Sequence, residues 1–95
     1  MKTIISAPAR VDLQKIMLWI ADENPFRGKS FSRELQDATE SLVLFPESYP
    51  VVGSLDGFAF RRKVYGNYLI FYSVNGDAVN VLRILHGAQD YSDLF

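Results

Sequence analysis

The segment from residue 58 to residue 86 constrains the fold most strongly, because it predicts three short strands joined by two tight turns. Asn75 and Gly76 lie between two runs rich in valine, isoleucine and aromatic residues, and this dipeptide favours a two-residue type I′ turn. Gly66 and Asn67 occupy the corresponding place between the first two runs. The flanking residue types are those that strands prefer. The sequence therefore predicts three antiparallel strands in a row.

The two turns also predict which side chains share a face, because successive strand residues point to opposite sides of a sheet. With these turns, Tyr65 lies opposite Tyr68, and Tyr72 lies opposite Val79. One face is apolar, and we expect it to form the core: Phe60, Val64, Leu69, Phe71, Leu82 and Ile84. The other face surrounds Ile70, Val79 and Val81, and we expect its basic and tyrosine side chains to stay open to solvent: Arg61, Lys63, Tyr65, Tyr68, Tyr72 and Arg83. A slip of one residue would exchange the two faces.

Two amphipathic helices are predicted before these strands. Ser6 caps the first helix, which runs over about residues 8–23 and carries an apolar stripe: Leu13, Ile16, Met17 and Ile20. Asn24 and Pro25 start the second helix, and Pro46 ends it. Its apolar stripe repeats at spacings of four and three: Phe31, Leu35, Ala38, Leu42 and Phe45.

The remaining segments complete one domain over residues 1–95. Residues 2–6 are short and β-branched, which predicts an edge or added strand, and residues 47–57 predict a loop. We expect the tail from Gly87 to end in a turn that folds back onto the body. The fold class is therefore α+β with the order β-αα-βββ, in which a helical hairpin packs on one face of a mainly antiparallel sheet.

Composition excludes several kinds of site. There is no cysteine and a single histidine, His86, so the sequence predicts no disulfide and no metal site, and no cofactor motif is present. The net charge of −1 gives no overall attraction to nucleic acid. No apolar run is long enough to cross a bilayer. We expect a cytoplasmic protein.

Three features could carry a function. The basic and tyrosine-rich face could bind nucleic acid or an acidic peptide, or its cations could simply stack on tyrosine rings. His86 could act as a general acid or base, although a structural role at the strand end is the plainer interpretation; we expect it and Arg62 to face the helices. Val11 and Leu18 lie off the helical stripe, where they either form a patch for a partner or belong to the edge of the core.

Four segments, in this order and at this spacing, resemble the ParE/RelE superfamily of toxins from bacterial type II toxin–antitoxin modules, which serve in plasmid stabilisation. They are SAPARVDLQKIMLWIADENP (residues 6–25), FPESYP (45–50), FRRKVYGNYLIFYSV (60–74) and VNVLRILHGAQDY (79–91). The similarity covers nearly the whole chain. It implies the same β-αα-βββ order that the residue patterns predict.

The resemblance implies one of two activities. RelE-type members cleave mRNA on the ribosome, and the groups available for this here are Arg61, Lys63, Arg83, His86 and Tyr91. Leu69 and Gln89 stand where such members carry arginines, and losing two cations removes stabilisation of the reacting phosphate. The N-terminal pattern and the ILHG ending are more similar to ParE-type members, which poison DNA gyrase by protein contact without catalysis.

The ParE-like interpretation implies two protein partners, DNA gyrase and a cognate antitoxin that is a small DNA-binding protein with a flexible tail. We expect no direct sequence-specific contact with nucleic acid. The expected partner-binding residues lie on the first helix and on the tyrosine-rich face: Val11, Leu18, Arg61, Lys63, Tyr68, Tyr72 and Arg83. The ribonuclease alternative stays open, as does an inactive remnant or binding module.

Overall fold

The computed structural model describes residues 1–89 and shows one five-stranded sheet with two helices packed on one of its faces. The elements are β1 (Lys2–Ile5), α1 (Ala7–Ala21), α2 (Pro25–Glu40), a 3₁₀ turn (Ser41–Val43), β2 (Val51–Leu55), β3 (Phe58–Tyr65), β4 (Tyr68–Asn75) and β5 (Ala78–His86). The strand order is β1-β5-β4-β3-β2; β1 is parallel to β5 and all other neighbours are antiparallel. The predicted α+β class is confirmed.

The sheet has one strand more than the sequence predicts. β2 forms inside the segment predicted as a loop, and it pairs with β3 across a two-residue turn at Asp56 and Gly57. Both turn residues have positive φ, 51° and 83°, which is the type I′ pattern. The predicted fold-back of the tail lies outside the described residues. Among residues 1–89, no helix is long and apolar enough to span a membrane.

Both helices begin where the sequence predicts and end earlier. The Ser6 Oγ accepts a hydrogen bond from the Ala9 N–H, and the Asn24 side chain accepts one from the Arg27 N–H. Each cap satisfies a backbone donor that has no partner inside its helix. The predicted burial of Phe45 is wrong: its side chain is 72% exposed, because the chain tightens into the 3₁₀ turn after residue 40 and shifts the helical spacing.

Gly28 brings the two helices into close contact. A Cβ atom at this position would lie 2.6 Å from the Ala21 Cβ and 2.8 Å from the Met17 carbonyl oxygen. Both distances are shorter than real Cβ contacts. The glycine therefore serves the crossing of α1 and α2, where a larger side chain would push the helices apart.

The two predicted turns have different outcomes. The register of β3 and β4 is as predicted, with Tyr65 opposite Tyr68. The predicted register of β4 and β5 is wrong, because Asn75 pairs with Ala78 and the loop is Gly76-Asp77. Gly76 has a φ of +58° and is the only loop residue with positive φ, which matches a type II′ turn rather than type I′. Glycine at the first loop position allows this turn and keeps Asn75 in the strand.

The predicted assignment of the two sheet faces is wrong. The helices cover the face that the sequence predicts to be open, and its tyrosines and aliphatic residues form the main core with Ile16, Phe31 and Leu35. Tyr72 is fully buried, and its hydroxyl donates a 2.7 Å hydrogen bond to the Pro46 carbonyl. A tyrosine ring can be buried in this way as long as its hydroxyl finds a partner.

The opposite face carries a second, smaller apolar cluster. Phe60, Phe71 and Leu85 are buried there, with Leu69 and Leu82 packed against them. Arg62 shares this side of the sheet, against the prediction that it faces the helices, and Val64 is exposed rather than buried. Ile84 does lie in the main core, as predicted.

Candidate functional site

Arg83 lies at a β-bulge of β5 and binds the first helix. Tyr72 pairs with Val81 but Phe71 pairs with Arg83, so β5 contains one extra residue at this point. The Arg83 guanidinium binds the Asp12 carboxylate of α1 through two hydrogen bonds, 2.7 Å from Nε and 2.9 Å from Nη2. Asp12 Oδ2 also accepts a 3.0 Å bond from the Ile84 N–H. The hydrogen bonds to Asp12 raise the pKa of the Arg83 guanidinium above its ordinary value.

Arg61 and Lys63 hold the segment that precedes β2. Arg61 Nη1 donates to the Glu47 carbonyl at 2.9 Å and to the Tyr49 carbonyl at 2.6 Å. Lys63 Nζ lies 4.4 Å from the centre of the Tyr49 ring and 2.5 Å from its hydroxyl oxygen. Both cations therefore bind groups of this chain, and one of them makes a cation–π contact.

His86 closes the end of β5. Its Nδ1 accepts a 3.0 Å hydrogen bond from the Ala88 N–H, so the neutral ring carries its proton on Nε2. The ring packs edge-on against Tyr68, 5.2 Å between centroids, on the side of the helices as predicted. Burial raises the pKa of the Tyr68 and Tyr72 hydroxyls, so both are neutral near pH 7.

The candidate catalytic residues do not form one cluster. Arg61 and Lys63 lie on β3, and Arg83 and His86 lie on β5, with the buried strand β4 between the two pairs. Each of the four is hydrogen-bonded to another group of the protein. Tyr91 lies outside the described residues. Within residues 1–89, no group of three or more metal-binding side chains is present.

A groove of about 570 Å³ runs between α1 and the ends of β4 and β5. Its walls include Asp12, Lys15, Trp19, Tyr68 and His86. The sequence patterns single out neither Lys15 nor Trp19 as a functional residue. The sequence feature that could have indicated the groove is the tryptophan beside the apolar stripe of α1. A residue at such a position puts a large ring at the margin of the contact between helix and sheet.

The helical hairpin exposes several large apolar side chains. Leu18 is 59% exposed and Val11 is also exposed, which agrees with their predicted position off the stripe. Trp19, 72% exposed, and Phe26, 88% exposed, lie on the same two helices. Single exposed apolar residues are common, but several large ones on one hairpin are typical of a protein-binding surface.

A family model described as ParE toxin of type II toxin-antitoxin system, parDE, matches residues 3–91. The chain belongs to the ParE toxin family. A solved structure of the chromosomal ParDE TA system from P. aeruginosa has the same fold, with a TM-score of 0.78 and 16% sequence identity over 90% of this chain and 95% of that chain. No curated protein matches the sequence.

Membership of this family makes the chain a toxin of a type II toxin–antitoxin system. In this ParE toxin the apolar side chains of the hairpin and the groove are two features that are open to solvent. The basic side chains predicted for the open face are instead placed between the sheet and the elements that cover it.

Proposed function

We propose that this ParE toxin inhibits DNA gyrase by protein–protein contact and that a cognate antitoxin neutralises it in the cytoplasm. The observation that carries the proposal is that the basic side chains are bonded within the protein. Arg61, Lys63 and Arg83 are each bonded to carbonyl, hydroxyl or carboxylate groups of the same chain. A side chain held in this way is a structural contact, and it is not free to neutralise a reacting phosphate.

The ion pair of Arg83 gives the strongest energetic argument against catalysis. Turning Arg83 towards an RNA phosphate would leave Asp12, which is 7% exposed, with an uncompensated charge. Removing one partner of a buried ion pair costs about 3–5 kcal/mol. This cost is larger than the free energy that one charged contact to a phosphate typically supplies. Arg83 is therefore expected to stay bound to Asp12 rather than to turn towards a substrate.

The exposed apolar hairpin supports the protein-contact half of the proposal. Interfaces between proteins place large apolar and aromatic side chains at their centres. Leu18, Trp19 and Phe26 are exposed residues of this kind. We place the antitoxin on this surface, together with Val11.

A supercoiling assay tests the main proposal. Purified toxin is titrated into DNA gyrase, ATP and relaxed plasmid, and the supercoiled product is measured by gel. Inhibition that rises with toxin concentration and is relieved by the co-purified antitoxin is the expected result. Gyrase that stays fully active at every toxin concentration would refute the proposal.

The second candidate is a ribosome-dependent ribonuclease. The observation in its favour is the position of His86, whose Nε2 has no hydrogen-bond partner among the described residues and lies at the groove. A neutral imidazole at a surface groove can act as a general acid or base near pH 7. Toeprinting of a translated message separates the two candidates, because codon-dependent cleavage is expected only of the ribonuclease. An inactive remnant would leave growth unaffected when it is expressed alone.

The substitution Leu18→Asp tests the antitoxin surface. A carboxylate at an apolar contact has to lose its hydration on binding, so we expect antitoxin affinity to fall by about tenfold or more. Leu44→Asp is the matched control, because Leu44 is comparably exposed but lies beyond α2. Equal antitoxin affinity of the Leu18→Asp variant and the unmodified toxin, measured by titration calorimetry, would exclude this helix face from the interface.

A further inference from the structure

The groove beside α1 presents hydrogen-bond donors around an apolar floor. Ile16, Ile84 and Leu85 supply apolar lining, and its volume of about 570 Å³ lies within the roughly 300–1,000 Å³ of typical binding pockets. Trp19 stands at its edge with 72% of its surface exposed. A groove of this composition can hold a large apolar side chain of a partner.

The polar groups of the groove are mostly unused donors. Among the described residues, the Lys15 ammonium and the Trp19 indole N–H have no hydrogen-bond or ion-pair partner, and neither has the Tyr68 hydroxyl. His86 has already used its acceptor Nδ1 on the Ala88 N–H, so its Nε2 is a further donor. The groove therefore has more unused donors than unused acceptors, which are the Gln89 amide oxygen and the Tyr68 hydroxyl oxygen.

The charge of the groove is positive once its internal ion pair is counted. Asp12 is its acid, and this carboxylate is already bonded to Arg83 and to the Ile84 N–H. Lys15 then remains as the exposed and unpaired charge. A carboxylate close to Lys15 would meet a cation without displacing any existing bond, whereas a lysine or arginine there would be repelled.

We propose that this groove binds an antitoxin segment in which a carboxylate lies next to a large aliphatic side chain. The aliphatic side chain packs on Trp19 and the apolar floor, and the carboxylate accepts hydrogen bonds from Lys15 and His86. The inference rests on the proposed neutralisation by an antitoxin and adds the chemistry of the segment that is bound.

The intrinsic fluorescence of the toxin provides a direct test, because Trp19 is its single tryptophan. The full chain is titrated with a capped peptide of alternating leucine and glutamate, and with the same peptide carrying glutamine for glutamate. We expect the glutamate peptide to shift Trp19 emission to shorter wavelength and to bind about fivefold more tightly than the glutamine peptide. Lys15→Gln should abolish this difference, and Lys29→Gln, on exposed α2 surface outside the groove, should preserve it.

Three results would overturn the inference. They are the absence of any change in emission with either peptide, equal affinity for the two peptides, and displacement of the glutamate peptide by a short RNA. The last result would instead point to a nucleic acid as the occupant of the groove.

A second arm uses the protein encoded beside the toxin gene, co-expressed with the full-length toxin. Trp19→Ala should weaken this complex by about tenfold or more. Phe45→Ala should leave it unchanged, because Phe45 is equally exposed but lies beyond α2 and does not line the groove. A complex that forms equally well with Trp19→Ala refutes the groove as its site while the proposed function stands. A wild-type toxin that captures no such protein refutes the antitoxin part of the proposed function itself.

Discussion

At the scale of single residues, the ion pair between Asp12 and Arg83 links the first helix to the last strand. Arg83 lies at the bulge in β5, and Asp12 binds both its guanidinium and the Ile84 N–H that follows it. No sequence pattern predicts this contact. Asp12 looks like an ordinary surface acid in the first turns of a helix, because its partners come from residues more than seventy positions away.

The first prediction concerns this ion pair. Asp12→Asn should lower the free energy of unfolding by about 3 kcal/mol, because Arg83 would keep its charge in a half-buried site without a counterion. The measurement is urea unfolding followed by circular dichroism. Asp37→Asn is the matched control on exposed α2 surface and should change stability by less than about 0.5 kcal/mol. Equal stability of the two variants would contradict the structural role given to Asp12.

The second prediction concerns the pH dependence of stability. Glu34 accepts hydrogen bonds from Arg27 and from the Tyr65 hydroxyl, and the Arg27 bond is the main cause that lowers the pKa of Glu34 below 4.5. Because the folded pKa is depressed, the carboxylate stabilises the fold above pH 4.5, and this contribution is lost as the pH falls through the folded pKa.

Glu34→Gln should therefore be less stable than the unmodified toxin at pH 7, and the two should converge in acid. Denaturant midpoints measured across this pH range provide the comparison. Glu40→Gln is the control, since Glu40 is an exposed acid of α2 for which no side-chain hydrogen bond is described. A gap between Glu34→Gln and the unmodified toxin that persists at low pH would show that Glu34 stabilises the fold in some other way.

At the scale of elements, the sequence predicts the helix caps and the order of the last three strands well, but it misses β2 and predicts turn type poorly. Ser6 and Asn24 act as caps because their side chains satisfy helix donors locally. A glycine turn is less specific, since Gly76 is compatible with either the first or the second loop position. The predicted loop at Asn75 and Gly76 therefore differs from the observed loop at Gly76 and Asp77.

The third prediction concerns the helix crossing at Gly28. In a helix interior, alanine is more favourable than glycine by about 1 kcal/mol of helix propensity. Here, however, the added methyl group would clash with Ala21 and with the Met17 carbonyl. Overpacking of this kind costs about 1–3 kcal/mol, so Gly28→Ala should be destabilising despite its better helix propensity. Thermal unfolding measures the difference, and Gln36→Ala on exposed α2 surface is the control. A higher melting temperature for Gly28→Ala would show that the helices have room to separate.

At the scale of the whole molecule, the α+β class and the order of elements were predictable, but the covered face of the sheet was not. Both faces carry enough apolar residues to form a cluster, so alternation alone does not decide which one the helices cover. The tyrosines were misleading, because a tyrosine looks polar in a sequence yet Tyr72 is fully buried with its hydroxyl satisfied. The extra residue in β5 also cannot be predicted by counting residues from the turn, and it shifts the register so that Arg83 pairs with Phe71.

The corrected faces change the expected function of the basic residues. Arg61, Lys63 and Arg83 hold the loop and the helices to the sheet. The surface that we propose for the partner is instead the exposed hairpin and the groove beside it. In the function that we propose, the toxin acts through the outside of its folded body, which requires no reactive group. When gyrase is the target of the toxin, we therefore expect a defined product, which is DNA cleaved by gyrase.

The amount of cleaved DNA held by gyrase tests the proposed action on gyrase most directly. Purified toxin is added to gyrase, ATP and supercoiled plasmid, and linear DNA is quantified after protease digestion. We expect the amount of linear DNA to increase with toxin concentration and to fall to the background level when the antitoxin is added. The absence of linear DNA at every concentration, together with cleavage of a translated mRNA by the same preparation, would contradict it.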